Sequence, residues 1–309
     1  MLPITVRREN GRRHVRVSES ELAELVGGIG AGGDLFLIVQ RIPDLPEHFL
    51  QVWHMAGDDY YQLEHRDGGN DRHYVVYVDT PEPVADVVAA MTGWARGEKG
   101  WDDGLAWTRL KLRAPKRARP LELDDHERAR LEARVREVLV GGYATRDELA
   151  EIAEQFPVPG RRRPVSPEQA RELADRMWLE RVAEQAHWQG ETDPERLTAA
   201  FEALEAAGIT ARENFTGPRS SGDSGIGAAG APDARGFVCF HPGCTDAAAA
   251  GRGLPLLYGG FDGSPGTTAA IGREVVAALT AAGLPSEWDG APGSVITVTP
   301  LDWRKRLVG

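Results

Sequence analysis

The chain has 309 residues, more than one ordinary hydrophobic core usually fills, so its length predicts two domains. Its 41% hydrophobic and 27% charged residues are typical of a soluble globular protein, and no apolar run approaches the roughly 20 residues of a membrane helix. With two cysteines and no apolar secretory signal, we expect a protein of the reducing cytoplasm that does not associate with membranes.

The net charge of −11 is distributed unevenly along the chain. Residues 1–120 carry 16 Lys and Arg against 18 Asp and Glu, whereas residues 121–309 carry 20 against 29, a net of −9. Because an acidic surface repels phosphate backbones, this pattern disfavours nucleic acid as a partner. It suits a basic protein partner, although most acidic cytoplasmic proteins are simply soluble.

Residues 1–112 predict a small α+β domain with an N-terminal antiparallel sheet and two helices. Asn10-Gly11 between two apolar stretches indicates a hairpin. Short connections rich in Gly, Asp and Asn then favour an antiparallel meander, whose strands span residues 35–41, 49–55, 60–66 and 73–79. A helix opened by Pro81 and a last strand over residues 105–112 complete a sheet with one covered face.

The meander brings two histidines together. His65 and His73 lie on neighbouring strands that a tight turn joins. Side-chain alternation along these strands should therefore place the two imidazoles nearly opposite each other. Two imidazoles could begin a zinc site, but zinc takes three or four ligands, and His54 lies at the far end of its strand. We therefore expect rim or surface histidines, with no metal and no other cofactor.

A basic linker over residues 113–124 follows, bounded by Pro115 and Pro120, which lack amide donors and favour an exposed segment. The remaining residues, 125–309, predict a helical segment followed by an α/β sandwich. Capping boxes at Thr145 and Ser166 open two of the helices.

A helix-strand-strand unit occurs twice within the sandwich. The first copy contains ALEAAGI at residues 203–209 and the strand FVCF at 237–240; the second contains ALTAAGL at 278–284 and the strand VITV at 295–298. The repeat predicts that Leu204 and Leu279 occupy equivalent buried positions on helices packed against one sheet.

Residues 216–231 separate the two copies and are rich in Gly and Ser. Ile226 is their only large apolar side chain, so the segment has little with which to enter a core. We expect a mobile loop unless a partner orders it.

Four segments carry a resemblance to a known family: WQGETDPERL at 188–197, GITARENF at 208–215, LYGGF at 257–261 and WDG at 288–290. They resemble an uncharacterised actinobacterial family, a domain of unknown function, over about residues 125–309. The resemblance implies no known activity. Relatives often carry cysteines after the Asn-Phe-Thr triplet, where this chain reads GPRSSG, so any metal site formed by those cysteines would be lost here.

The N-terminal region carries a second resemblance, through QVW at 51–53, YQLEHR at 61–66 and MTGWARG at 91–97. These segments are similar to parts of other uncharacterised actinobacterial proteins. Their small α+β form loosely resembles that of the immunity proteins of bacterial toxin systems, which implies a protein-binding role.

The best catalytic candidates are Cys239, His241, Cys244 and Asp246. Cys239 and His241 would share a strand face, and a thiolate beside an imidazole is a nucleophile pair. However, Cys239 lies between two large apolar residues, a setting typical of a buried structural thiol, and the spacing matches no zinc pattern. These residues stay candidates, and we expect neither cysteine to be catalytic or metal-bound.

Two functions follow from these patterns. The first is a protein-binding module, immunity- or antitoxin-like, supported by the acidic charge and two compact regions. The second is a small-molecule hydrolase that uses the neighbourhood of His241. A gene for a basic toxin beside this one would favour the first, and loss of a measured activity in His241→Ala would favour the second.

Overall fold

The computed structural model describes residues 1–113, 118–160, 163–216, 225–226 and 230–308, and it confirms the predicted α+β class. The strands are β1 (Ile4–Arg8), β2 (Arg13–Val15), β3 (Phe36–Arg41), β4 (His48–Trp53), β5 (Tyr61–Asp67), β6 (His73–Val78), β7 (Thr108–Arg109), β8 (Ile209–Arg212), β9 (Gly236–Cys239), β10 (Leu254–Gly260), β11 (Ser286–Glu287) and β12 (Ile296–Val298). The helices are α1 (Glu19–Gly27), α2 (Pro83–Arg96), α3 (Asp125–Gly141), α4 (Arg146–Glu154), α5 (Pro167–Gln185), α6 (Asp193–Ala206), α7 (Pro242–Ala249) and α8 (Pro265–Ala281). None of the helices described here is long and apolar enough to cross a membrane.

The chain divides into two compact units. The first comprises Met1–Glu122, Thr145–Val182 and Leu307–Gly309, and the second comprises Leu123–Ala144 and Ala183–Arg306. The predicted linker at 113–124 therefore coincides with one crossing between units, but α4 and most of α5 belong with the N-terminal sheet. Their attachment includes a buried hydrogen bond, in which Trp178 Nε1 donates to the carbonyl oxygen of Asp44 at 2.6 Å.

The first unit is built on a seven-stranded antiparallel sheet in the order β2-β1-β3-β4-β5-β6-β7. The predicted hairpin joins β1 to β2, and Gly11 at its tip has a φ of 82°, a conformation that glycine adopts without strain. Alternate side chains of the strands pack with α1 and α2 into one core that includes Val6, Leu50 and Leu63. The meander prediction is confirmed.

Two predicted details of this sheet are wrong. The last strand covers only Thr108–Arg109, because the chain turns at Leu105, whose carbonyl accepts from the Trp107 amide at 3.0 Å. The imidazoles of His65 and His73 do not face each other: His65 pairs with Tyr74, and His73 pairs with Arg66. This shift by one residue puts the two imidazoles on opposite faces of the sheet.

The second unit holds a five-stranded sheet in the order β11-β12-β10-β9-β8. Its inner face packs against α6 and α8, and both repeat leucines are buried there, with Leu204 3% exposed and Leu279 fully buried. The predicted equivalence of their burial is confirmed. The two copies differ in pairing, since β8 and β9 are parallel whereas β11 and β12 are antiparallel. The long connection before β9 permits a crossover, and the short one before β12 permits a hairpin.

Candidate functional site

The structure places the two candidate cysteines in separate apolar environments. Cys239 ends β9 and is buried in a small cluster with Ile226 and Phe237. Cys244 lies on α7 and belongs to the core of the inner face. Burial there raises the pKa of the Cys244 thiol, although a backbone hydrogen bond at His241 lowers it. A thiol in this setting stays protonated at neutral pH, which makes it a poor nucleophile.

The other two candidates lie at the start of α7 and beside it. His241 is the exposed N-cap residue, and its Nδ1 accepts a hydrogen bond from the Gly243 amide at 3.1 Å. Asp246 lines a cavity of about 260 Å³ together with Arg136 and Arg252. Among the residues whose structure is described, no three His, Cys, Asp or Glu side chains are grouped to hold a metal ion.

Strand register defines a second face of the five-stranded sheet, which we call the outer face. Directly paired residues direct their side chains to the same side, and the register joins Cys239 to Leu257, Pro255 to Thr297, and Thr297 to Glu287. The outer face therefore carries Thr210, Arg212, Phe237, Cys239, Pro255, Leu257, Thr297 and Glu287.

The half of the outer face formed by β8 and β9 is covered. Ile226 is only 3% exposed and packs with Phe237, Cys239 and the flanking Phe215 and Phe261. The expectation that the segment 216–231 could not enter a core is therefore wrong at Ile226, because β9 offers an apolar strip on this face. The segment was also predicted to be mobile. Most of it, residues 217–224 and 227–229, lies outside the described residues.

The half formed by β10 and β12 is open. One step beyond the register pair Leu256–Ile296, Leu257 and Val295 are neighbours across the two strands. Leu257 is 43% exposed and Val295 is 49% exposed. These two side chains form a small accessible apolar strip beside the buried Cys239 cluster.

Three exposed carboxylates lie on or directly after strands of the second sheet. Glu287 lies on the outer face itself, Asp289 follows β11, and Asp262 directly follows Phe261 of the covered cluster. The hydroxyl of Thr267 and the amide of Ser264 lower the pKa of Asp262. The amide of Ala291 and the hydroxyl of Ser294 lower the pKa of Asp289, so both side chains remain anionic.

The cations of the second unit do not neutralise these carboxylates. Six of the cations between residues 183 and 306 are held by other acidic side chains, in the pairs Arg196–Asp193, Arg212–Glu205, Arg235–Glu274, Arg304–Asp302, Lys305–Glu213 and Arg306–Glu195. Within the described part of the chain, Asp262, Glu287 and Asp289 have no ion-pair partner. The carboxylate of Glu287 is therefore not neutralised on the outer face by any cation of the described residues.

Leu257 and Val295 were not among the residues predicted from the sequence. Both could have been found from the sequence, because each is an apolar residue at a position where strict alternation would place a polar one, as in LPLL at 254–257 and VITV at 295–298. An apolar residue on both faces of a strand indicates either a second covered layer or an exposed contact surface.

Comparison with known proteins adds a family. A domain of unknown function, DUF6891, matches residues 124–307, which include α3 and the whole five-stranded sheet. No curated protein and no solved structure matches the chain. The sequence predicted a resemblance to a family of unknown function over about residues 125–309, and this match confirms a domain of unknown function in that region. The chain therefore belongs to the DUF6891 family, whose domain of unknown function makes up more than half of its length.

Proposed function

We propose that the protein acts by binding a basic protein on the open half of the outer face. The observation that carries the proposal is the pairing of an exposed apolar strip, Leu257 and Val295, with the unpaired carboxylate of Glu287 on the same face. Apolar side chains supply affinity when a partner covers them, and charged residues around them favour partners of opposite charge.

Electrostatics supports a basic partner. Residues 121–309 carry 20 Lys and Arg against 29 Asp and Glu, and the carboxylates of Asp262 and Asp289 are held in the anionic form by hydrogen bonds. Such a field speeds the encounter with a cationic surface. An immunity or antitoxin-like role, in which a basic toxin is bound and masked, is the form of this function that we propose.

The test uses a partner captured from the native host and then purified. Association measured by surface plasmon resonance should slow as salt rises to physiological strength, because the Debye length falls to about 8 Å. Glu287→Lys should slow association further, since it reverses a charge on the binding face. Glu202→Lys is the matched control: this exposed carboxylate lies on α6, which packs against the inner face.

Equal effects of the two charge reversals would contradict the proposed location, because both variants change the net charge by the same amount. An association rate that does not respond to salt would contradict a basic partner. Both readouts compare association rates, so they require no knowledge of what the partner does.

The second candidate is a hydrolase that uses His241, which is accessible at the start of α7. A metabolite screen that finds turnover, together with its loss in His241→Ala, would favour this function over binding. Cys239→Ser and Cys244→Ser should then lower turnover if a thiolate is the nucleophile.

A further inference from the structure

Two arginines face each other at the edge of the seven-stranded sheet. Arg7 of β1 and Arg13 of β2 are direct register partners in an antiparallel pair, so their side chains leave the same face of the sheet. Cβ atoms in such positions lie about 5 Å apart, and like charges there destabilise the pairing. Both arginines are exposed, and nearby carboxylates offset part of this repulsion, since Asp147 pairs with Arg7 while Glu148 and Asp44 attract Arg13.

The two side chains line a cavity of about 270 Å³ in the first unit. Thr5 and Gln40, which are also register partners, share this face of the sheet. The opposite wall is the first turn of α4, Thr145 to Asp147, where the helix dipole places partial positive charge. The remaining lining residue, Asp44, is 4% exposed.

The acidic side chain in the cavity floor is already engaged. Asp44 accepts from Gln40 Nε2 through one oxygen and from Arg146 Nε through the other, each at 2.8 Å. Arg146 also donates to Asp175 at 2.7 Å. Burial raises the pKa of Asp44, while the hydrogen bond from Arg146 lowers it. Both carboxylate oxygens of Asp44 are therefore hydrogen-bonded within this network, and the carboxylate acts on Arg13 only through its charge.

The donors of Arg7 and Arg13 remain available. Arg7 has an ion pair with Asp147 at 3.6 Å, beyond hydrogen-bond distance, and both side chains of that pair are more than half exposed. Arg13 makes no side-chain hydrogen bond to any acceptor in the described residues. Partial burial lowers the pKa of Arg13 more than the charges of Glu148 and Asp44 raise it, although the residue as a whole remains exposed.

We propose that this cavity binds a small oxyanion, a carboxylate or a phosphate group, held between Arg7 and Arg13. The planar guanidinium fork presents paired N–H donors that match both groups in a bidentate geometry. A ligand in this position removes the like-charge repulsion between β1 and β2. The site lies in the first unit and is independent of the function proposed for the outer face.

Isothermal titration calorimetry of the full chain at low ionic strength tests the site, with inorganic phosphate and succinate as the two probes. We expect saturable binding of at least one probe, and the tighter of the two identifies the ligand class. Arg13→Met and Arg7→Met should each weaken that binding about tenfold or more, since each removes a charge-assisted bidentate contact. Arg13→Lys, which keeps the charge but loses the fork, should fall between wild type and Arg13→Met.

Arg12→Met is the matched control, because it removes one positive charge from the same hairpin without altering the cavity lining. Its affinity should equal that of the wild type. Circular dichroism of each variant separates lost binding from lost folding. The proposal is overturned if the folded wild type binds neither probe saturably, or if Arg13→Met and Arg12→Met retain the same affinity.

Discussion

The two faces of the five-stranded sheet differ in how completely they are covered. Six inner-face residues on or next to β9, β10 and β12 have no exposed surface, namely Val238, Phe240, Leu254, Leu256, Ile296 and Val298. On the outer face of the same strands, Leu257 is 43% exposed and Val295 is 49% exposed. The inner face thus stabilises the fold, whereas the outer face retains apolar surface that a partner can bury.

The largest expected effect is on the inner face. Leu279→Ala should lower the free energy of unfolding by about 2–5 kcal/mol, because it leaves a cavity in a close-packed core. Leu204→Ala should cost a similar amount, since Leu279 on α8 and Leu204 on α6 are both buried in the same core. Chemical denaturation measures both. A decrease in the free energy of unfolding smaller than that caused by a substitution at an exposed site would mean that the inner face is not the main source of stability.

A second effect concerns a buried phenol at the margin of the inner-face core. Tyr143 packs edge-on against Phe240 and donates to Glu213 Oε2 at 2.6 Å. Burial raises the pKa of Tyr143, and the neighbouring charge of Glu213 raises it further. Because the folded-state pKa lies above the unfolded value of about 10, the phenol stabilises the fold below that pH, and this contribution is lost as pH rises.

Above pH 10, wild type should therefore lose up to about 1.4 kcal/mol more stability per pH unit than Tyr143→Phe does. Denaturation curves at several alkaline pH values measure the difference. No further control variant is needed, because Tyr143→Phe keeps the ring and removes only the ionisable hydroxyl. Parallel pH dependences of the two proteins would contradict this account of Tyr143.

The smallest expected effect is on the open half of the outer face. Leu257→Ala should change the free energy of unfolding by about 0.5 kcal/mol or less, as surface substitutions generally do. The same change at Leu279 provides the comparison, since both variants truncate a leucine of the second unit. A large destabilisation at Leu257 would show that this face is part of the structural core.

Much of the fold followed from local patterns in the sequence. The Asn10-Gly11 hairpin, the meander and the burial of Leu204 and Leu279 depend on turn chemistry and periodicity within short windows. The pairing of His65 and His73 was wrong because a one-residue register shift reverses side-chain faces. The assignment of α4 and α5 to the first unit depends on distant contacts such as Trp178 with Asp44, which no local pattern contains.

The candidate site was less predictable. Cys239 and Cys244 are five positions apart, but the end of β9 and the turn into α7 separate them onto the outer-face cluster and the inner-face core. Sequence spacing could not show this separation. The open strip depends on the register between β10 and β12, and the opposed arginines depend on the register between β1 and β2. The local information was limited to the hairpin sequence between Arg7 and Arg13 and to the apolar residues on both faces of LPLL at 254–257 and VITV at 295–298.

The most direct test of the central claim compares affinity and stability in one variant. Leu257→Ser should weaken binding of the purified basic partner about tenfold, while its free energy of unfolding stays within about 0.5 kcal/mol of wild type. Calorimetric titration and chemical denaturation supply the two values. An unchanged affinity in the folded Leu257→Ser protein would contradict the assignment of the outer face as the binding surface.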